Sequence, residues 1–292
     1  MRRSPAHIRM KRLTTPLRNI VIFLSFIPWL YGVNGRATEL KPETSAAFDH
    51  YARVTETQRA EETRDGRFLA VDRLPDSQRR DVYDQLHHGQ IFIQELHTQE
   101  EHQAIRVPGG MIHHWSGLIF IPKATVSEVS AVLQDYQNEA SIYQPEIRKA
   151  NLIEQQGNKS RIFLQMYTKS IITVVLNGYF EVMETPIGST RMESASRSTR
   201  IAKVVNPGTH DEHESAEGDD HGYMWRLNSY WRLEEKDGGV YVQNESITLT
   251  RTIPVLLAWL INPLTKSIPR DVIVHMLTDT QKAVTKSGTA SR

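Results

Sequence analysis

Two stretches of the sequence contain groups that could bind a metal. Residues 210–221, HDEHESAEGDDH, hold three histidines and six carboxylates, which are ligand types for zinc or a similar divalent ion. No strand or helix pattern would fix these ligands, and their spacing matches no metal motif, so we interpret the segment as a solvated acidic loop. The stretch HTQEEH, residues 97–102, fails as a zinc-protease motif because its histidines are five apart rather than four.

Other common catalytic and cofactor-binding signatures are missing as well. The sequence has no Gly-x-Ser-x-Gly elbow, no phosphate-binding loop and no dinucleotide fingerprint. Adjacent His113 and His114 lie on a predicted strand, where they would point to opposite faces. One of them could line a cavity, although a satisfied structural histidine is the simpler interpretation. We therefore expect no metal and no cofactor, and no catalytic residue can be named from a motif.

A predicted hairpin places a carboxylate among large apolar residues. In MWRLNSYWRLEEKDGGVYVQNESITLT, residues 224–250, alternation puts Trp225, Leu227 and Trp231 on one face of a strand. A two-residue Asp237-Gly238 loop would set beside them Val242, Asn244, Ser246 and Thr248. A three-residue loop that includes Lys236 would set beside them Tyr241, Gln243, Glu245, Ile247 and Leu249. We favour the three-residue loop, because it leaves the polar set in water.

This register turns Glu245 inward, next to Trp231. A carboxylate among aromatic rings must be paired, neutral or solvated. One hypothesis is that Glu245 orients a polar head group or acts as an acid or base. The alternatives are a structural ion pair with an arginine such as Arg200 or Arg251, or an incorrect register.

The charge distribution indicates an exported protein. Of the 35 basic residues, seven lie in residues 1–37 together with no acidic residue, so the remainder has 28 basic against 34 acidic residues. Its acidic balance argues against a nucleic-acid partner. The basic start, the 14-residue apolar run from Ile20 to Val33 and the small residues Gly35 and Ala37 are typical of a signal peptide. The alternative is an uncleaved membrane anchor. The expected location is the periplasm.

Four segments follow from the pattern. We expect a signal peptide at residues 1–37, a mostly helical extension at 38–106, a ligand-binding domain at 107–285 and a disordered tail at 286–292. The domain begins with a strand and a helix, continues as an antiparallel meander and ends in a helix. We predict an α+β fold in which a curved antiparallel sheet grips the long C-terminal helix.

Two stretches resemble START-like domains, the helix-grip (SRPBCC) superfamily that includes polyketide cyclase-like proteins. The first is GGMIHHWSGLIFIPKATVSEVSAVLQDYQNEASIY, residues 109–143, which is similar to the opening strand and helix. The second is YWRLEEKDGGVYVQNESITLTRTIP, residues 230–254, which is similar to the last hairpin before the long helix. The resemblance implies a hydrophobic tunnel that binds a lipid, a sterol-like molecule or another apolar ligand, and only some members of the superfamily are enzymes.

The function that we expect is binding or carriage of a hydrophobic small molecule or lipid in this tunnel. The candidate ligand-binding residues are Trp225, Leu227, Trp231, Glu245, Ile247, Val174, Leu176 and Phe180. In IPVLLAWLINPL, residues 253–264, Trp259 and Leu260 could belong to a lid that opens at a membrane surface, or to an ordinary buried helix. A cyclase- or hydrolase-like enzyme that uses Glu245 and a histidine is one alternative. The other is a ligand-free adaptor whose tunnel is plugged by side chains.

Overall fold

Residues 40–169, 173–216, 224–252 and 255–290 are described in the computed structural model, and side chains in the last segment are described from 268 to 288. These residues all fall within one unit. The expected signal segment lies outside them, as do the side chains of Trp259 and Leu260 and the second half of the acidic loop. Within the described residues, no helix has the length and apolar composition that a membrane crossing requires.

The N-terminal part of the unit is mainly helical. It consists of α1 (Pro42–Arg64), a single 3-10 turn (Ala70–Arg73) and α2 (Asp76–His87). The strand β1 (Phe92–Glu95) follows and adds to the edge of the main sheet beside β4, while β2 (Gln99–Glu100) and β3 (Gln103–Ala104) form a small separate hairpin. The segment before residue 107 thus contributes one strand to the sheet as well as helices.

The main sheet is antiparallel and has nine strands. Its path runs β1-β4-β11-β10-β8-β7-β6-β5, with β9 paired to β8. The strands after β3 are β4 (Gly110–Pro122), β5 (Ile147–Gln156), β6 (Lys159–Lys169), β7 (Thr173–Ile187), β8 (Arg191–Val205), β9 (His213–Glu214), β10 (Arg226–Lys236) and β11 (Gly239–Arg251). The predicted order of strand, helix, meander and C-terminal helix is confirmed, and the fold class is α+β.

The central hairpin has the shorter of the two loops considered for it. Lys236 pairs with Gly239, so that only Asp237 and Gly238 form the turn. Both have positive φ angles, 57° and 78°, which is the conformation of a two-residue turn whose twist matches the flanking strands. The predicted three-residue loop is therefore wrong, and every side chain of β11 lies on the face opposite to the one expected.

Helices cover the two faces of the sheet. The outer face is the side that contacts α1 and α2, and the inner face is the side that contacts α3 (Val126–Leu133) and α5 (Val255–Ala290). On the outer face the side chains of Phe48, Tyr51, Phe68 and Leu86 pack against strands β4, β10 and β11. Because both faces of the central strands are buried, polarity alternation alone does not identify the core side.

Helix α3 begins where the sequence predicts. Thr125 is its N-cap, and its hydroxyl accepts a hydrogen bond from the backbone N–H of Glu128, whose carboxylate accepts the backbone N–H of Thr125. This reciprocal capping box satisfies two donors that the first turn would otherwise leave unpaired.

Helix α5 is longer than the sequence suggests. It runs from Val255 through Pro263 and Pro269 to Ala290, although prolines usually end or kink a helix. A proline inside a helix removes one hydrogen bond and crowds the preceding turn, but packing of the flanking turns can retain the helix. The helix also includes residues 286–290 of the segment predicted as a disordered tail.

The turn can be tested by replacing Gly238 with alanine. The left-handed conformation at φ 78° costs a residue with a Cβ about 1–2 kcal/mol, so Gly238→Ala should lower the thermal midpoint. Gly288→Ala is the matched control, because Gly288 lies in α5 with nothing near its Cβ position and alanine favours a helix. Equal thermal midpoints for the two variants would contradict the turn geometry.

Candidate functional site

The predicted ligand-binding residues are divided between the two faces of the sheet. Leu227 and Trp231 lie on the inner face, together with Phe180, and strand alternation places Val174 and Leu176 there as well. The remaining three, Trp225, Glu245 and Ile247, lie on the outer face. The expected place of Glu245 and Ile247 beside Trp231 was wrong because of the hairpin register.

Trp225 departs from the alternation for a local reason. It precedes β10, which begins at Arg226, and its backbone N–H donates to the carbonyl of Leu249 at 2.7 Å. Its side chain packs with Phe48 and Tyr51 of α1. The two tryptophans of the hairpin thus face opposite sides, and of these two only Trp231 faces α5.

One end of the inner face is closed. Its sheet side chains pack against α3 and the C-terminal half of α5 with almost no exposed surface; this closed end comprises Ile119, Met192, Leu233, Val242 and Val240. Next to it, α5 packs against β4 at Gly117, where a Cβ would lie only 2.5 Å from the side chain of Ile273 and 2.7 Å from that of Leu277. Glycine at this position lets the helix contact the sheet directly.

Helix α5 is also held on the side away from β4. The hydroxyls of Tyr143 and Thr280, both buried, lie 3.1 Å apart between α4 (Glu139–Ile142) and α5. His275 of α5 is paired with Glu146, which precedes β5. The helix therefore spans the sheet from β4 to the start of β5, and the inner face of the intervening strands lies beneath it.

Beyond the closed end, the inner face is only partly covered. Several apolar side chains remain half-buried around Ile162 and Phe180, namely Leu152, Leu164, Met166 and Leu227. On the central strands β8, β10 and β11, the inner-facing Ser196, Ser229 and Ser246 are half-buried too. The middle of the inner face is thus accessible surface of mixed apolar and hydroxyl character.

At Gly178, the absence of a side chain lets a neighbouring aromatic ring lie against the sheet. The ring of Phe180 lies so close to that glycine that a Cβ would be 2.5 Å from it, with the methyl of Met166 3.0 Å away. The aromatic ring therefore lies along the sheet instead of projecting toward α5. A flat ring leaves more room above the strand than an upright one.

Two buried acids lie near this region, and no sequence pattern identifies either of them. Glu184 is on β7, and its carboxylate accepts hydrogen bonds from Tyr136 at 3.1 Å and Gln134 at 3.0 Å. Glu139 of α4 is 8% exposed, and burial, with Asp135 nearby, raises its pKa to about 8. An acid with such a pKa is uncharged at neutral pH and can donate a hydrogen bond.

Glu245 belongs to a charged network on the outer face, which we define as Tyr51, Arg59, His114, Arg232 and Glu245. His114 Nε2 lies 3.0 Å from Glu245 Oε1, and its Nδ1 lies 3.0 Å from the hydroxyl of Tyr51. Since that hydroxyl accepts the backbone N–H of Thr98 at 2.8 Å, it donates to Nδ1. The proton on Nε2 is then donated to the carboxylate.

Two arginines complete the network. Arg59 Nε lies 3.7 Å from Glu245 Oε2. Arg232 donates to the carbonyls of Phe68 at 2.7 Å and Arg59 at 3.2 Å and to Glu193 at 2.7 Å. Burial alone would raise the pKa of Glu245, but Arg59, His114 and Arg232 together hold it well below its usual range. The network fixes α1 and the segment after it to the outer face of the sheet.

This network does not form an accessible active site. A hydroxyl, an imidazole and a carboxylate in sequence resemble a nucleophilic triad, but Tyr51, His114 and Glu245 are 5%, 3% and 2% exposed and lie between α1 and the sheet. Glu245 and a histidine do meet, as the enzyme hypothesis requires, yet on the face away from α5. The structural ion pair is formed with Arg59 rather than with Arg200 or Arg251.

His113 faces the inner side of β4, as strand alternation from His114 requires. Its Nε2 lies 3.1 Å from the hydroxyl of Thr250, and burial lowers its pKa. The two adjacent histidines thus point to opposite faces, as predicted.

The first half of the acidic loop is attached to the outer face. Glu212 is paired with Lys149 at 2.6 Å and accepts the backbone N–H of Gly208 at 2.6 Å. Glu214, in β9, accepts hydrogen bonds from Asn177 at 3.0 Å and Tyr179 at 2.8 Å. In the part of the chain that the structure describes, no three histidine or carboxylate side chains are grouped as a metal site.

Replacing Glu245 with glutamine should destabilise the fold. The change leaves the charge of Arg59 buried without its carboxylate partner, which typically costs about 3–5 kcal/mol. Chemical denaturation measures this loss. The control is Glu154→Gln, whose pair with Arg161 is exposed and should contribute roughly 0–1 kcal/mol. Because the folded pKa of Glu245 is below the unfolded one, its contribution is complete above roughly pH 4.3 and declines as the pH falls. Equal losses in the two variants would contradict the role of the network.

The effect of replacing Glu139 with glutamine on stability should change with pH in the direction opposite to that of Glu245→Gln. The folded protein keeps this proton up to a pKa of about 8, against 4.5 for the ordinary group, so wild-type stability falls as the pH rises between these values. The thermal midpoint of Glu139→Gln should therefore exceed that of wild type at pH 8.5, by about 2 °C or more, and the difference should shrink toward pH 4.5. Glu61→Gln, on the exposed side of α1, should show no such trend. A difference that is constant across pH would contradict the assignment.

No protein-family model matches the sequence. The search of curated proteins also finds no match.

Solved structures with a similar fold are found, at low sequence identity. A STAR-related lipid transfer protein from Xanthomonas axonopodis is 14% identical, with a TM-score of 0.43, and the match covers 65% of this chain and 98% of the other. The Zhui aromatase/cyclase from a Streptomyces species is 12% identical, with a TM-score of 0.44, over 60% and 95% of the two chains. A START superfamily protein from Mycobacterium smegmatis is 11% identical, with a TM-score of 0.40, over 59% and 97%.

The element order and the sheet topology define the fold without reference to these structures. Strand β4 and helix α3 open the domain, an antiparallel meander follows, and the last hairpin leads into a long helix that lies across the inner face. The chain has a START-like, helix-grip fold.

Proposed function

We propose that the protein binds and carries a hydrophobic small molecule of the lipid class between the inner face of the sheet and α5. One observation carries the proposal. On the central strands β10 and β11, the outer side chains of Tyr230, Ile247 and Leu249 are buried. The inner side chains of Leu227, Ser229 and Ser246 on the same strands are only half-buried. Apolar surface left accessible inside a fold is typical of a ligand site.

The anchoring of α5 would keep such a space open. The helix is fixed to β4 through Gly117 and to α4 through the pair of Tyr143 and Thr280. A rigid helix held at both sides cannot sink onto the middle strands, where the inner side chains are small or lie flat. The space therefore does not close by simple collapse, which would otherwise fill it with protein atoms.

The alternatives receive less support. The enzyme hypothesis relied on Glu245 and a histidine, which lie under α1 on the outer face. The adaptor hypothesis requires a space plugged by side chains, whereas Leu164, Met166 and Leu227 are half-buried. Binding without chemistry accounts for both observations.

Export is part of the proposal and rests on the sequence of residues 1–37, with their basic start and apolar run. A carrier outside the cytoplasm would exchange its ligand at a membrane surface. The segment with Trp259 and Leu260 remains the candidate for that contact.

Native mass spectrometry of the full chain, purified from the cells that produce it, tests this function. We expect a bound mass that organic solvent extracts, and the protein mass itself shows whether residues 1–37 have been removed. Ser196→Phe should abolish the bound mass, because a ring on the inner face of β8 fills the accessible space. Glu181→Phe is the control, since Glu181 is exposed on the outer face of β7.

Two results would count against the proposal. The first is wild-type protein that carries no extractable mass and takes up no 1-butylpyrene. The second is equal ligand content in Ser196→Phe and wild type, when circular dichroism shows that Ser196→Phe and Glu181→Phe are both folded.

A further inference from the structure

A row of hydroxyl side chains crosses the middle of the inner face. Trp115 of β4 pairs with Ser246 of β11, which pairs with Ser229 of β10, which in turn pairs with Ser196 of β8. Directly opposite residues of antiparallel strands share a face, so these four side chains form one line. We define Ser196, Ser229 and Ser246 as the serine row. All three are half-buried, so a small molecule in the space beneath α5 would lie against them.

The tryptophan at the end of this row has an unsatisfied donor. Trp115 is 9% exposed, and its indole Nε1 has no hydrogen-bond partner among the residues that the structure describes. A buried N–H without a partner is uncommon, because it costs free energy that a neighbouring acceptor would recover. The ring lies on the inner face, next to Ser246. An acceptor atom of a bound molecule could form this missing hydrogen bond.

A second polar side chain lies next to the row. Asn244, 4% exposed, donates its amide N–H to the hydroxyl of Ser229 at 3.1 Å. The polar character of the serine row thus extends to Asn244.

The row and its neighbours have little charge. From β4 to β7, this row and the adjoining row through Asn244 and Ser194 contain one charged side chain, Glu184. Its carboxylate is already bonded to Tyr136 and Gln134. Among the described side chains of these two rows, a ligand carboxylate or phosphate would find no cation to pair with, and an unpaired buried charge is strongly disfavoured.

We infer that the ligand is an uncharged, oxygen-bearing apolar molecule whose hydroxyl or carbonyl groups lie along the serine row, with one oxygen accepting the indole N–H of Trp115. This inference rests on the proposed function and specifies its ligand class. The half-buried apolar side chains Leu164, Met166 and Leu227 contact the hydrocarbon part, and the hydroxyls satisfy the oxygen atoms. The contacts are hydrogen bonds and apolar packing, and no bond is made or broken.

Three fluorescent probes that differ in one group test the ligand class. They are 1-butylpyrene, which has no oxygen, 1-pyrenebutanol, which has a neutral hydroxyl, and 1-pyrenebutyrate, which is anionic at pH 7.5. Fluorescence anisotropy gives the Kd of each with the ligand-stripped full chain. We expect wild type to bind 1-pyrenebutanol more tightly than 1-pyrenebutyrate, because only the acid brings a charge into the site.

Variants identify the groups responsible. Trp115→Phe and the double variant Ser229→Ala with Ser246→Ala should each weaken 1-pyrenebutanol by about fivefold, the equivalent of one hydrogen bond, and should leave 1-butylpyrene within twofold of wild type. Ser77→Ala, on the exposed surface of α2, is the matched control. Thermal midpoints confirm that each variant is folded; if Trp115→Phe is not folded, the serine variant alone decides.

The outcomes separate the two proposals. If wild type binds none of the probes and carries no extractable mass, the proposed function fails. If it binds all three equally, or if the variants change the Kd of 1-butylpyrene and 1-pyrenebutanol in parallel, it is a carrier without the oxygen recognition inferred here. In that case water alone would occupy the serine row.

Discussion

Two left-handed residues, Asp237 and Gly238, determine which side chains of the central hairpin face α5 and which face α1. Because side chains alternate along a strand, a loop longer by one residue would exchange the faces of β11 completely. With the two-residue turn, Tyr241, Ile247 and Leu249 support the N-terminal helices. The polar residues Asn244 and Ser246 lie on the inner face. The different character of the two faces follows from this turn.

The outer face is where the fold gains its specificity. Apolar clusters would hold α1 against the sheet in several nearly equivalent positions, since apolar contact is not directional. The charged network removes that freedom, because Glu245 must meet both His114 and Arg59 while Arg232 reaches the carbonyl of Phe68. A displaced helix would leave these charges buried without partners. Networks of this kind contribute little net stability but strongly penalise alternative arrangements.

Element order was predictable from the sequence, whereas the faces of the β11 side chains were not. The cap at Thr125, the meander and the final helix each have a local signal that lies within a few residues. The side of Glu245 depends on whether the residues before 107 cover the sheet, and no local pattern records that. The predicted loop followed from the assumption that one face of the hairpin is exposed to water. Because both faces are buried, that assumption selected the wrong loop. Glu139 and Glu184 gave no signal either, because their burial arises from packing between distant segments.

The accessible inner face and the sealed outer face are connected energetically. Leaving Leu227, Leu164 and Met166 half-buried forgoes apolar burial that a filled core would supply. The N-terminal segment buries Phe48, Phe68 and Leu86 almost completely on the outer side of β10, which carries Leu227, and of its neighbours β4 and β11. These central strands are therefore stabilised from the outer face, and their inner side chains need not pack tightly against α5. Small hydroxyls such as Ser229 and Ser246 are then tolerated on the inner face of β10 and β11.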